Sequence, residues 1–438
     1  MTFLHAFPAS AALALSLSLG SAAAQAAEPA SQPPAAWLAS WTASPQAVWA
    51  SDFLFPSNVP AVVHDQTIRQ VARLSVGGRR VRIVLSNAYG TLPLRIGAAS
   101  VALSAQDSTL QPGSLRSLTF SGQPSATVAP GAPLVSDPVD LAVPDLARLT
   151  VSIYLPQATP ASTFHWDGRE TAWLAPGERT RAARIDTQQA GVRTTTARLL
   201  LSAIQVEATE GTQAVAILGD SITDGASASL GRDTRWPDVL AERLAPHGVA
   251  VINAGISGAR LLSDGMGEKA LARFGRDVLE QPGVRTAIVL IGINDISWPG
   301  TAFARQEKRP TLAALKSGYG QLIAQARSRG VRVIGATLTP FAGALPGTPL
   351  DDYYQEEKDA LRQRLNAWIR DSGSFDAVLD FDAWARDPAH PLRLLPAYDS
   401  GDHLHPGDAG NRALAEAVDL TLLFGNQSPR PAYKAVLK

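Results

Sequence analysis

Residues 214–223 read Ala-Val-Ala-Ile-Leu-Gly-Asp-Ser-Ile-Thr, an apolar run of five followed at once by Gly219-Asp220-Ser221-Ile222-Thr223. An apolar stretch of that length, bounded by turn residues, predicts a strand buried on both faces, as in a parallel sheet. The same rhythm continues to the end of the chain. Further strands are expected at Val249–Asn253, Thr286–Ile291, Val331–Thr337 and Ala377–Phe381. Helical patterns lie between them, around Pro237–Leu244, Lys269–Leu279, Thr311–Arg329, Tyr353–Ile369 and Ala409–Leu423. Pro237, following Asp233-Thr234, suits the first turn of a helix, where a missing amide hydrogen costs nothing. Strands alternating with helices predict a parallel sheet covered on both faces, and ligands of such sheets bind beyond the carboxyl ends of the strands.

Four short segments fall at or just after these strands, or near the end of the region. They are Gly219-Asp220-Ser221-Ile222-Thr223, Asn253-Ala254-Gly255-Ile256-Ser257-Gly258, Gly292-Ile293-Asn294-Asp295 and Asp402-His403-Leu404-His405-Pro406. As chemistry they offer a hydroxyl nucleophile, a backbone donor, a side-chain amide donor and an Asp/His pair three residues apart, the parts acyl transfer requires. Each has a plainer alternative: Ser221 as a helix cap, Gly258 as a turn glycine, Asn294 as a loop cap. Gly255 suits a close passage of backbone. Asp220, Asp224 and Asp295 suit acceptors for loop amides.

On these four segments, in this order, residues 212–425 resemble the SGNH hydrolases, also called GDSL esterases/lipases. The resemblance implies an α/β fold, a flavodoxin-like three-layer α/β/α domain with a parallel sheet. It implies Ser221 as nucleophile, His405 as base and Asp402 as the carboxylate orienting it, because the family pattern Asp-x-x-His-Pro lands on Asp402 and His405. It assigns the oxyanion hole to the amide of Ser221, Gly258 and the side chain of Asn294. His403 is the rival base and is expected at the substrate rim. The segment is not the Gly-x-Ser-x-Gly elbow, since Thr223 occupies the second glycine's place. Arg260, just after Gly258, is a candidate substrate contact or an ordinary exposed arginine.

Upstream, from residue 37 to 205, apolar residues alternate with period two. Ile68, Gln70, Ala72, Leu74 and Val76 share one face, Gly77-Gly78 follows, and Val81, Ile83 and Leu85 share a face of the next run. The pattern predicts a β-hairpin with glycines at positive φ, within an all-β sandwich. This segment resembles the β-rich domain that precedes the catalytic domain in many bacterial extracellular SGNH members, on the strength of Arg69-Gln70-Val71 and Leu85-Ser86-Asn87-Ala88-Tyr89-Gly90. Trp41, Trp166 and Trp173 suit core or interface positions, with sugar stacking as the alternative. Residues 1–26 carry an apolar run, Ala9–Ala24, and a small-x-small site, Ala24-Gln25-Ala26. They predict a secretion signal, without the usual basic residue before the apolar run. Residues 27–36 form a Pro-rich linker and 426–438 a C-terminal tail.

Composition narrows the partners. Of 438 residues, Lys+Arg and Asp+Glu each number 39 and cysteine is absent. Zero net charge removes a whole-chain electrostatic case for nucleic acid or an anionic membrane, and no later apolar run reaches the ~18 residues of a membrane span. Without cysteine there is no disulfide, thiolate nucleophile or Cys-ligated zinc. No His/Asp spacing suggests another metal and no cofactor is expected. Asp264-Gly265-Met266-Gly267 lacks the Lys-Ser/Thr of a phosphate loop and reads as a turn. The expected protein is a secreted or periplasmic serine esterase acting on a small-molecule or polysaccharide-linked ester. Short acyl chains are favoured because no long apolar lid is evident. An acyltransferase using the same residues stays open, as does a carbohydrate-binding protein in which the β-rich region dominates, with accessory deacetylase activity on plant polysaccharides.

Overall fold

In the computed structural model, which describes residues 36–209 and 211–424, the apolar run around Ile217 is an inner strand of a five-stranded parallel sheet. We label its strands β1 (Gln213–Gly219), β2 (Val249–Gly255), β3 (Val284–Leu290), β4 (Arg332–Ala336) and β5 (Ala377–Leu379). Their order across the sheet is β2-β1-β3-β4-β5, and every pairing is parallel. Ala214–Leu218 are at most 1% exposed, which is why the run is uniformly apolar and not alternating. The chain leaves β1 for β2 on one side and returns for β3 on the other. The carboxyl end of β1 is therefore the point where the strand order reverses, the place such sheets hold a ligand.

The helices that cover the sheet are α1 (Ser221–Asp224), α2 (Trp236–Leu244), α3 (Ala270–Phe274), α4 (Ile293–Ser297), α5 (Leu312–Ser328), α6 (Glu356–Asp371), α7 (Phe381–Ala385), α8 (Asp408–Ala417) and α9 (Thr421–Phe424). Most boundaries shift by a few residues from the periodicity, and three stretches differ in kind. The 269–279 pattern is α3 continued by a π-helical turn, Gly275–Leu279. The run at 377–381 stops at Leu379, because the Asp380 side chain accepts from the amide of Ala383 and caps α7. The 409–423 pattern breaks where Val418 is extended and the Asp419 carboxylate accepts from the amide and hydroxyl of Thr421.

The region before residue 209 is strand-rich. In one antiparallel sheet Leu201–Ala208 lies between Ala36–Thr42 and Gly78–Ser86, and Gly78–Ser86 also pairs with Pro133–Val135 and Val139–Val143. In the other, Gln66–Arg73 lies between Ala172–Pro176 and Arg148–Leu155. The expected hairpin is therefore not formed: Gln66–Arg73 and Gly78–Ser86 belong to different sheets. The chain between them crosses from sheet to sheet, with the amides of Leu74 and Ser75 donating to Ala147 and Ser40 carbonyls. Neither Gly77 nor Gly78 has positive φ. They are needed for closeness instead, since a Cβ on Gly77 would stand 2.0 Å from the Val143 carbonyl oxygen.

The two regions are joined through one apolar core. β2 is an edge strand of the parallel sheet, and edges invite unwanted pairing. Here the N-terminal region covers it: Thr42 Oγ1 donates to the Asn253 carbonyl at 3.0 Å and Ser75 Oγ to that of Val251. Arg69 is fully buried yet faces no carboxylate; its guanidinium donates to Ser152 Oγ and to the carbonyls of Ser108, Arg179 and Ala182. Burial lowers its pKa to about 10. Residues 1–35 and 425–438, which hold the expected signal, nearly all of the linker and the tail, lie outside the described residues. Among the described residues no helix is long and apolar enough to cross a membrane.

Candidate active site

β1 ends at Gly219, where no side chain fits: a Cβ would stand 2.2 Å from Thr223 Oγ1. Asp220 then caps the single turn of α1, its Oδ1 accepting from the amide of Ile222 at 3.1 Å. Ser221 is the first residue of that turn, and its amide is one of those a helix leaves without an internal acceptor. Ser221 is nearly buried, at 9% exposure. Its Oγ lies 2.8 Å from His405 Nε2, and His405 Nδ1 lies 2.6 Å from Asp402 Oδ2. With a carboxylate on Nδ1, that nitrogen carries the hydrogen and Nε2 is free to accept the serine proton.

The spacing of three between Asp402 and His405 works through a tight turn. Asp402 Oδ1 accepts from the amides of Leu404 and His405 while Oδ2 takes the ring. Burial opposes its ionisation, but the hydrogen bonds and charge of His405 outweigh burial and hold the carboxyl well below its usual range. His403, at φ +60°, turns the other way; its side chain is 47% exposed and its Nδ1 pairs with Asp399.

Gly258 and Asn294 reach the same place from β2 and β3. Gly258 sits at φ +73°, and a Cβ there would stand 2.3 Å from Met266 Sδ and 2.8 Å from the Trp298 ring. Conformation and space both demand glycine. The Asn294 amide is fixed at both ends: Nδ2 donates to the Ala259 carbonyl at 3.0 Å, and Oδ1 accepts from the Tyr353 hydroxyl at 2.7 Å. One Nδ2 hydrogen remains, since a primary amide carries two. Burial holds the Tyr353 hydroxyl well above its usual pKa, so it stays a donor.

The acidic residues around Ser221 tie the loops together. Asp295 accepts from the amides of Leu261 and Leu262, and burial pushes its pKa to about 6. Asp224 accepts from the amide and hydroxyl of Ser257, next to Gly258, and from His165 Nε2 at 2.9 Å. Burial raises its pKa, yet His165 outweighs that and holds Asp224 below its usual range. His165 comes from the N-terminal region, and its Nδ1 faces the Ser44 carbonyl at 3.1 Å. Gly255 is a close passage: a Cβ would meet the Asp224 amide at 2.4 Å. Asp220 is fully buried with Oδ2 unpaired, and burial pushes it up to about 7.

A cavity of about 340 Å³ opens over Ser221, Gly258, Asn294 and His405. Its wall is mostly apolar, and part of it comes from Leu54, Phe55 and Trp166 of the N-terminal region, against Met266, Trp298 and Phe303. The rings of Trp49, Phe53, Phe55, Trp166, Phe303 and Trp298 form one continuous cluster. Trp166 is thus a wall of the cavity, whereas Trp173 is buried in a small core with Val71, Ala175 and Ile185. Arg260 is not exposed: it is 5% accessible, lies over the Trp298 ring and pairs with Glu307. His165, Asp167 and Tyr353 were not readable as site residues. They lie 56, 54 and 132 positions from Ser221 along the chain, and no local pattern marks them. Among the described residues no group of three His, Asp or Glu could hold a metal ion.

The model of the GDSL-like lipase/acylhydrolase family matches residues 217–413, a span that contains all four segments. No curated protein matches the chain in sequence. Similar solved structures include a lipolytic G-D-S-L protein of Desulfitobacterium hafniense, 20% identical over 47% of this chain and 97% of that one, TM-score 0.35. Another is the acetyl xylan esterase AlAXEase, 20% identical over 47% and 96%, TM-score 0.34. A third is the M. smegmatis aryl esterase, 18% identical over 47% and 96%, TM-score 0.37. Residues 217–413 are thus a domain of the GDSL-like lipase/acylhydrolase kind, a hydrolase domain acting on esters.

Proposed function

We propose that the protein is an exported serine esterase that cleaves carboxylic esters through Ser221, His405 and Asp402. The observation that carries this reading is the unbroken chain from Ser221 Oγ through the His405 ring to Asp402, at 2.8 and 2.6 Å. Ser221 Oγ attacks the ester carbonyl as its proton passes to His405 Nε2, and Asp402 stabilises the imidazolium. The carbonyl oxygen, now negative, is held by the amides of Ser221 and Gly258 and the remaining Nδ2 hydrogen of Asn294. Collapse breaks the bond to the alcohol, which leaves with the proton from His405. Water then enters, gives a proton to the same nitrogen, and releases the acid and Ser221. No step calls for a cofactor.

The cavity of about 340 Å³ lies at the small end of ligand sites, which supports esters of short acyl chains or aryl groups. Export rests on residues 1–26 and their signal-like pattern. The same proposal takes 212–425 as a flavodoxin-like three-layer domain, supported by the strand order 2-1-3-4-5. It takes 37–205 as a β-sandwich, supported by two antiparallel sheets. The test is cleavage of p-nitrophenyl acetate together with labelling by a fluorophosphonate probe. Ser221→Ala should lose both while keeping its unfolding temperature, and His405→Ala should be crippled where His403→Ala is mild. More than a few per cent of the wild-type rate in Ser221→Ala, or the reverse ranking of the histidines, refutes the assignment.

A further inference from the structure

Next to Trp166 on the wall of the cavity stands a carboxylate that the mechanism does not use. Asp167 is 8% exposed, lines the cavity with Ser221, Ala226 and Ser227, and accepts no hydrogen bond from any described residue. Its nearest cation, Arg169 Nη1, is 3.7 Å away, beyond hydrogen-bond reach. Buried carboxylates without donors are costly, and native structures pair nearly all of them. Burial, reinforced by the charge of Asp224, raises its pKa. The position is not slack, because the backbone on both sides is anchored. The Trp166 amide donates to Gln46 Oε1, the Gly168 amide to the Thr196 carbonyl, and the His165 ring bridges Ser44 and Asp224. A rigidly held acceptor without a donor, lining the reaction cavity, is a subsite for one.

We propose that Asp167 is a specificity-determining residue that accepts a hydrogen bond from a hydroxyl group on the alcohol part of the substrate, so that the preferred substrates are esters of polyols. This rests on the esterase reading above and narrows it. The side of the cavity identifies the alcohol. Asp167 lines the cavity with Ala226 and Ser227, Arg169 beside it donates to the Ala228 carbonyl, and this loop is pinned at Ser229 to Asp408, three residues beyond His405. The departing alcohol must lie on the imidazole side to receive its proton. The charge of the surroundings identifies a neutral donor. Arg169 and Arg235 already place positive charge near Asp167, so a cationic substrate group meets their repulsion, whereas a hydroxyl needs only the free lone pairs.

The experiment compares kcat/KM for three butyrate esters: glycerol 1-monobutyrate, propyl butyrate, which has the same carbon skeleton without hydroxyls, and butyrylcholine. Wild type should favour the glycerol ester over the propyl ester by about tenfold or more, the size of a hydrogen bond to a charged acceptor. Asp167→Leu should bring that ratio near one, and Asp167→Asn, nearly isosteric and still an acceptor through Oδ1, should keep part of it. A thermal melt of both variants separates lost preference from lost fold, and the Asn variant carries the test if the Leu variant does not fold. A wild-type ratio near one, a full wild-type ratio kept by either folded variant, or a preference for butyrylcholine overturns the subsite. Absence of turnover on all three esters, with no fluorophosphonate labelling, is a different result: it overturns the esterase reading and the subsite with it.

Discussion

Removing the hydroxyl of Tyr353 tests whether Asn294 acts as a fixed donor, because that hydroxyl is the restraint on one end of its amide. In Tyr353→Phe the ring stays in the cavity wall, the Asn294 Oδ1 loses the donor at 2.7 Å, and only the bond from Nδ2 to the Ala259 carbonyl at 3.0 Å remains. The amide does not simply reverse, since that would set Oδ1 against the Ala259 oxygen. What is lost is aim. A neutral hydrogen bond contributes about 0.5–1.5 kcal/mol, so the rate should fall by up to about tenfold. The ceiling is the roughly 10²–10³ expected when a whole oxyanion donor is removed, as in Asn294→Ala. The loss should appear in kcat with KM little changed, because the donor engages the charge of the transition state. Steady-state cleavage of p-nitrophenyl acetate reads both constants. The double variant Tyr353→Phe/Asn294→Ala should be no slower than Asn294→Ala, because the two groups act as one. An unchanged kcat in Tyr353→Phe, or losses that multiply in the double variant, refutes the reasoning.

Asp402→Asn should lower kcat by about 10⁴ through the wrong imidazole tautomer; a loss below tenfold, measured with the same ester, contradicts the orienting role. Because the folded Asp402 pKa is depressed, its contribution to stability is present above its unfolded value and is lost only as pH falls through the lower folded one. The kcat/KM profile should accordingly show no carboxylate break near pH 4. Asp220 behaves in the opposite sense. Burial raises it from 3.8 to about 7, so between those values the folded state holds a proton that the unfolded state has released, and stability falls as pH rises through that window. Asp220→Asn removes this titration and keeps the Oδ1 that caps α1. Its stability relative to wild type should therefore climb from pH 4 to 7 and then level, as read by urea unfolding; a difference independent of pH sinks the argument.

What was legible in the sequence is what lies in contiguous segments. The run at 214–218 has to be apolar throughout because β1 is covered on both faces, and its pattern is complete within five residues. Asp402 and His405 are joined by a turn of three, so their pairing is local. The failed hairpin shows the limit. Two alternating runs around Gly77-Gly78 look the same whether the chain folds back in one sheet or crosses between two. What decides is the approach of Val143 and Glu207 to those glycines, from residues far along the chain. Tyr353 is hidden for the same reason. Its phenol finds Asn294 across 59 positions, and in sequence it is only one more aromatic residue at the start of a helical pattern.

Long-range contacts also tie the N-terminal region to the site. His165 from that region meets Asp224, and Asp224 in turn holds the Ser257 amide and hydroxyl beside Gly258, so one carboxylate ties the turn bearing Ser221 to the loop bearing Gly258. Both nitrogens of His165 face acceptors, Ser44 on one side and Asp224 on the other, and the ring is locked between residues 180 positions apart in sequence. A neighbouring module that only tethered the enzyme to a polymer would leave those bonds to water. Here the region covers the exposed edge of β2, braces α1, and supplies Phe55, Trp166 and Asp167 to the cavity wall. The bracing of the Ser221 turn and the wall of the cavity therefore draw on the same strand, 163–165, and the two residues that follow it.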